Sequence, residues 1–218
     1  MPLNIAIDGP AGAGKSTIAK LIAKKKNLIY VDTGAMYRAV ALYILRSGID
    51  PADTDLVAEK CRDANITIGY EDGVQIVYLN GENVNSFLRT EEVGLVASKT
   101  SANPAVRAHL LNLQKALAAG SDCIMDGRDI GTVVLPDANP KVYLTASSEV
   151  RAKRRYDELV AKGETPDFEK IKADIEQRDY QDMHRDISPL KKADDATEVD
   201  SSYMTIEEVA DAIIALCR

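Results

Sequence analysis

Apolar residues fall in short continuous runs that alternate with stretches of helical period. The runs "LNIAID" (3–8) and "NLIYVD" (27–32) read as buried strands. "KSTIAKLIAKKK" (15–26) places Ile18, Leu21 and Ile22 at helical spacing, and "GAMYRAVALYILRSG" (34–48) is a second helix stopped by Gly48 and Pro51. This strand–helix alternation is that of a parallel sheet covered by helices. The pattern then changes. "ITIGY" (66–70), "VQIVYL" (74–79) and "ENV" (82–84) are joined by Asp-Gly and Asn-Gly steps, so residues 65–87 read as a small antiparallel meander. Two helical stretches follow, 90–101 and 104–120, with Pro104 at the start of the second helix and Gly120 past its end. "DCIMDG" (122–127) and "KVYLTA" (141–146) resume the strands, and helices are expected over 147–163 and 167–186. A last strand lies in 196–202, and Thr205 with Glu208 makes a capping-box pattern for the final helix.

Composition narrows the chemistry. The 218 residues suit one core with small insertions, and 45% hydrophobic with 28% charged residues is ordinary for a globular chain. A net charge of −7 argues against sequence-independent nucleic-acid binding, which draws its affinity from a basic surplus. No apolar run approaches a membrane span, and the N-terminus lacks a basic region followed by a long apolar one, so neither membrane insertion nor secretion is expected. Cys61, Cys123 and Cys217 are isolated and read as reduced thiols of a cytoplasmic protein. With His109 and His184 the sole histidines, a His-based metal site or a Ser-His-Asp triad is not expected.

Gly9-Pro10-Ala11-Gly12-Ala13-Gly14-Lys15-Ser16, followed by Thr17, fits G-x-x-x-x-G-K-[ST] between a strand and a helix. Glycines let backbone N–H groups turn toward phosphates, and the helix start presents its positive dipole end to the same anion. Lys15 can neutralise β- and γ-phosphate charge, and the Ser16 hydroxyl can hold Mg2+. No N-K-x-D segment for guanine occurs, and arginines are scattered along the later elements, which points to a phosphoryl transferase with two phosphorylated substrates. A second polar cluster, "VDTGAMYR" (31–38), follows the second strand with Asp32, Thr33 and Arg38. A third, "MDGRDIGT" (125–132), follows another apolar strand with Asp126, Arg128 and Asp129. Strand ends of this kind are where doubly wound sheets bind ligands. Asp126 or Asp32 could orient a water of the Mg2+. On the helix expected over 167–186, Arg178, Asp182 and Arg185 would share one face. Arg151, Lys153, Arg154 and Arg155 form a cationic segment that reads as a mobile lid, bounded by Gly163 and Pro166.

"DGPAGAGKST", "DTGAMYR", "VR" at 106–107, "DGRDIGTVVLPDA" and "QRDYQDMHRDISPL" stand in the order of the bacterial-type cytidylate kinases, which the chain resembles along essentially its full length. The resemblance implies an α/β fold: a P-loop NTPase-type parallel sheet flanked by helices, with a small antiparallel β acceptor-binding insert and a helical lid. The expected core is 1–64 and 104–218, the insert 65–103 and the lid 150–166. The implied reaction uses ATP as phosphoryl donor with Mg2+, and CMP as acceptor with dCMP as a second. Arg38 and Arg128 would bind the CMP phosphate. Thr33, Arg107, Asp129 and Arg185 would surround the cytosine, and Ser98, Arg178 and Asp182 would lie near the ribose. The division of Arg107, Arg178 and Arg185 among base, sugar and phosphate stays open. The resemblance also suggests a monomer. The alternatives are a kinase of another small acceptor, such as AMP or shikimate, and a nucleotide-dependent switch.

Overall fold

The computed structural model describes residues 2–217. The chain forms two compact units, one comprising Pro2 and Ile29–Cys123, the other Leu3–Leu28 and residues 124–217. The expected insert, 65–103, falls wholly within the first.

In the first unit β2 (Ile29–Asp32) runs directly into α2 (Thr33–Arg46). Asp32 is the N-cap: its carboxylate accepts from the Ala35 N–H, which ties the end of the strand to the first turn of the helix. The meander is β3 (Ile66–Glu71), β4 (Val74–Leu79) and β5 (Glu82–Asn83). Registers Glu71↔Val74 and Leu79↔Glu82 leave two-residue loops, Asp72-Gly73 and Asn80-Gly81, all four residues with positive φ. That is the left-handed hairpin turn these dipeptides favour. The unit also holds α4 (Glu91–Thr100) and α5 (Pro104–Gly120), both packed on α2, whose Met36 and Ile44 are fully buried. Each such side chain contributes about 1.5–3 kcal/mol by leaving water. A short helix, α3 (Thr54–Lys60), and a 3-10 turn at Cys61–Asp63 were not expected from the sequence. One turn or two of mostly polar residues carries too little apolar periodicity to be read.

The second unit contains β1 (Asn4–Asp8), α1 (Lys15–Lys26), β7 (Lys141–Thr145), α6 (Ser148–Ala161), α7 (Phe168–His184), β8 (Thr197–Asp200) and α8 (Ile206–Leu216). β6 (Cys123–Gly127) leads into it. Within this unit the main sheet has the order β6-β1-β7-β8, with β7 parallel to both β1 and β8. Ile5, Ile7, Ile22, Leu144 and Ile213 are fully buried in this unit. The Thr205–Glu208 capping box is present in both directions. One expectation needs correction. α7 ends at His184, so Arg185 lies beyond it with extended backbone and does not share its helical face with Arg178. Pro189 disfavours helix at the residue before it, and the chain turns back, the Leu190 N–H donating to the Asp182 carbonyl. Ile130–Val134 forms one π-helical turn, unforeseen in the sequence. Among the described residues no helix is long and apolar enough to cross a membrane.

Candidate active site

The second unit carries the glycine-rich loop between β1 and α1. Gly9 leaves β1 at φ 148, and a Cβ there would lie 2.0 Å from the Leu144 carbonyl oxygen, so no larger residue fits. At Gly14, α1 starts with no side-chain cap. Among the described residues the other seven α-helices are all capped by side chains: Asp32, Asp53, Thr90, Asn103, Ser147, Asp167 and Thr205. The orphan N–H groups of α1 therefore stay available to an anion, at the positive end of the helix dipole. Lys15 is buried, its Nζ donating to the Gly9 and Pro10 carbonyls at 2.7 Å each. Burial, reinforced by the nearby Arg128 guanidinium, pushes the Lys15 ammonium below the usual lysine pKa, while Asp126, Asp8 and Asp182 oppose the shift. An arriving phosphate would relieve that cost by supplying the missing counter-charge. The Ser16 hydroxyl donates to Asp126 Oδ2 at 3.1 Å. A hydroxyl beside a carboxylate is a hard oxygen pair suited to Mg2+. Asp32 fits that role less well, because its Oδ1 caps α2 and its Oδ2 accepts from Arg89 at 2.8 Å.

Asp8, at the end of β1, was not singled out in the sequence, although it closes an apolar strand just as Asp126 does. Its carboxylate accepts from the Ile130 and Gly131 N–H groups at 2.8 and 2.7 Å, and so fixes the turn that follows Arg128 and Asp129. Burial raises its pKa from 3.8 to about 6, against the two N–H donors. The folded pKa exceeds the unfolded one, so the stability this group contributes is complete below about 4 and lost as pH rises through about 6. NMR titration of 13C-labelled aspartate is expected to show one carboxyl with a midpoint near 6. If no carboxyl titrates above 5, the buried environment drawn for Asp8 is wrong.

Arg128 Nε donates to Asp182 Oδ2 at 2.8 Å, and Arg185 lies 3.7 Å from the other oxygen of the same carboxylate. Burial works against the Asp182 charge, yet Arg128 first, then Arg178 and Arg185, hold this carboxyl below the usual range. Arg128, Arg178, Asp182 and Arg185 thus form one cluster. Asp129 is buried beside it in sequence, its carbonyl receiving Val133 and Val134 N–H. On α6, Arg154 donates to the Ser201 carbonyl at 2.8 Å, whereas Arg155 is exposed and pairs with Glu158. Arg151, one helical turn before Arg155, is buried rather than exposed with it.

The first unit holds a separate set. Thr33 is buried at the first turn of α2. Arg38 follows on the same helix. Gly34 sits under both charged groups, since a Cβ there would come within 3.2 Å of Asp32 Oδ1 and 3.3 Å of an Arg38 nitrogen. Arg107, on α5, donates to the Ser101 carbonyl and lies 5.4 Å over the Tyr37 ring. Ser101 in turn donates to the Ser98 carbonyl, which brings Ser98 and Arg107 to one corner. Gln75 and Arg89 were missed in the sequence: the Gln75 side-chain amide accepts from the Asp32 N–H through Oε1 and donates to the Asp32 carbonyl through Nε2. Their partners are remote in sequence, and nothing local marks them.

The family model for cytidylate kinase matches residues 5–218. The cytidylate kinase of Fervidobacterium nodosum is 46% identical over 220 residues, covering 100% of this chain and 97% of the relative. That of Geobacter sp. strain M21 is 50% identical over 205 residues, covering 94% and 88%. In fold the chain is similar to a gluconokinase from Sinorhizobium meliloti 1021, with a TM-score of 0.50 at 14% identity over 98% of this chain and 90% of that one.

Proposed function

We propose, because the chain belongs to the cytidylate kinase family, a mechanism for it that rests on charge placement and alignment. The protein transfers the terminal phosphoryl group of ATP to CMP, giving ADP and CDP. The attacking atom is a phosphate oxygen of CMP, already charged at neutral pH, so no general base is required. Neither His109 nor His184 is assigned a part. The donor triphosphate lies in the loop Gly9–Ser16 with Thr17 beyond it, against the uncapped start of α1, and that uncapped start is the observation that carries the reading. Lys15 neutralises charge that moves onto the transferred group and the leaving ADP. Mg2+, held by the Ser16 hydroxyl and through water by Asp126, supplies charge neutralisation on the phosphate oxygens when bound. Arg154 and Arg155 serve as lid cations over the donor. Arg38 and Arg128 grip the acceptor phosphate. Thr33, Ser98, Arg107, Arg178, Asp182 and Arg185 complete its base and ribose contacts. The enzyme acts in the cytoplasm as a monomer, on small nucleotides.

The choice of cytosine over uracil is assigned to Asp129. Cytosine offers an amino donor where uracil has a carbonyl, and a carboxylate accepts from the first but is left unpaired against the second. The test is ADP release with CMP, dCMP, UMP, AMP or shikimate as acceptor, in the unaltered protein and in Asp129→Ala. CMP and dCMP are expected to support turnover far above the others. In Asp129→Ala the CMP-over-UMP ratio of kcat/KM should shrink about tenfold or more. An equal fall for both acceptors would remove Asp129 from base recognition, and AMP or shikimate as preferred acceptor would overturn the reading.

A further inference from the structure

One buried ion pair in the second unit has no part in the mechanism above. Arg151, in the first turn of α6, meets Asp179 of α7 at 2.7 Å, and the two residues are 5% and 8% exposed. The same guanidinium donates through Nε to the Ala146 carbonyl at 2.8 Å and through a terminal nitrogen to the Ala11 carbonyl at 2.9 Å. One planar, forked cation thus ties together the segment after β7, the phosphate loop and α7. Its stem lies along the loop, since a Cβ on Gly12 would come within 3.4 Å of Arg151 Cβ. The second oxygen of Asp179 has no hydrogen-bond partner. A buried pair satisfied so incompletely is a weak source of stability, and apolar side chains of similar volume do as well or better. What such side chains could not do is hold the Ala11 carbonyl.

We propose that Arg151 is a positioning residue for the phosphate loop: it fixes the loop through Ala11, while Asp179 fixes the guanidinium. α7 carries Arg178 and Asp182 on either side of Asp179, so the acceptor cluster and the donor loop are braced by one helix. The proposal rests on the loop's being the ATP site. It assigns Arg151 to the loop's main chain and leaves the direct phosphate contacts to Lys15 and the N–H groups of α1.

The experiment compares Arg151→Met, Asp179→Leu and the double variant by thermal unfolding and by separate KM values for ATP and CMP. Each single change strands a buried charge and is expected to lower the unfolding temperature. The double variant should regain it, yet keep a KM for ATP raised about tenfold or more, with KM for CMP nearly unchanged, because the loop is no longer held. A merely structural pair would show recovery of both. Asp179→Asn, which keeps shape and one acceptor, should raise the KM for ATP about threefold. A KM for ATP equal to that of the unaltered protein, in the double variant or in Asp179→Asn, overturns the proposal. Failure of the unaltered protein to release ADP with CMP would instead overturn the reading of the site itself, and the proposal with it.

Discussion

Methionine in place of Lys15 is expected to lower kcat about 10³-fold or more while leaving the protein at least as stable. Removing one preorganised donor from a site where charge develops costs about 10²–10³-fold, and Lys15 brings a full charge rather than a dipole. A 10³-fold loss corresponds to about 4 kcal/mol of transition-state stabilisation. The stability half follows from burial. The Lys15 ammonium is nearly inaccessible and is held by the Gly9 and Pro10 carbonyls, with its pKa lowered by desolvation and by Arg128. Folding therefore pays to keep that charge, and an apolar chain of similar length removes the penalty. Steady-state turnover beside urea unfolding measures both halves. Turnover within tenfold of the unaltered protein would show that the charge is not used in the transfer. A large drop in stability would show that Lys15 holds the loop rather than the substrate.

The second large effect concerns Arg128. Arg128→Met is expected to reduce kcat/KM for CMP about 10²–10³-fold, with KM for ATP changed by no more than about threefold. A guanidinium can grip a phosphate through two parallel N–H bonds, and Nε is already anchored to Asp182 at 2.8 Å, so the fork is oriented before any ligand arrives. The methionine variant also leaves the Asp182 carboxylate short of its nearest cation, which costs stability; Arg185 at 3.7 Å offsets part of that. Arg128→Lys separates the two consequences. It restores a positive charge near Asp182 but not the planar fork, so stability should recover while CMP binding recovers only in part. Calorimetric titration of each variant with CMP and with ATP reads the difference. Equal weakening toward both nucleotides would move Arg128 out of the acceptor's contacts.

Elements and turns were legible where a local rule sufficed. The phosphate loop, the Asp-Gly and Asn-Gly hairpins and the Thr205–Glu208 box depend on residues a few positions apart, and each formed as the sequence implied. Local rules failed at the ends of elements. The helix over 167–186 stops two residues early, which moves Arg185 off the face of Arg178, and the π turn at Ile130–Val134 has no period that a sequence window detects.

By itself the sequence determined the order of the strands and of the longer helices, the anion-binding loop and the polar side chains at the strand ends, because backbone propensity and spacing act over a few residues. Tertiary structure alone decided what each charged group touches. Asp32 and Asp126 both close apolar strands, yet one caps α2 and pairs with Arg89 while the other faces the Ser16 hydroxyl. Arg151 and Arg155 lie one helical turn apart, yet one is buried against Asp179 and the other exposed beside Glu158. Those outcomes turn on burial and on partners remote in sequence, such as Ser16 for Asp126 and Ala11 and Asp179 for Arg151, and a charge's worth depends on both, since desolvation sets its cost and the nearest counter-charge sets how much is returned.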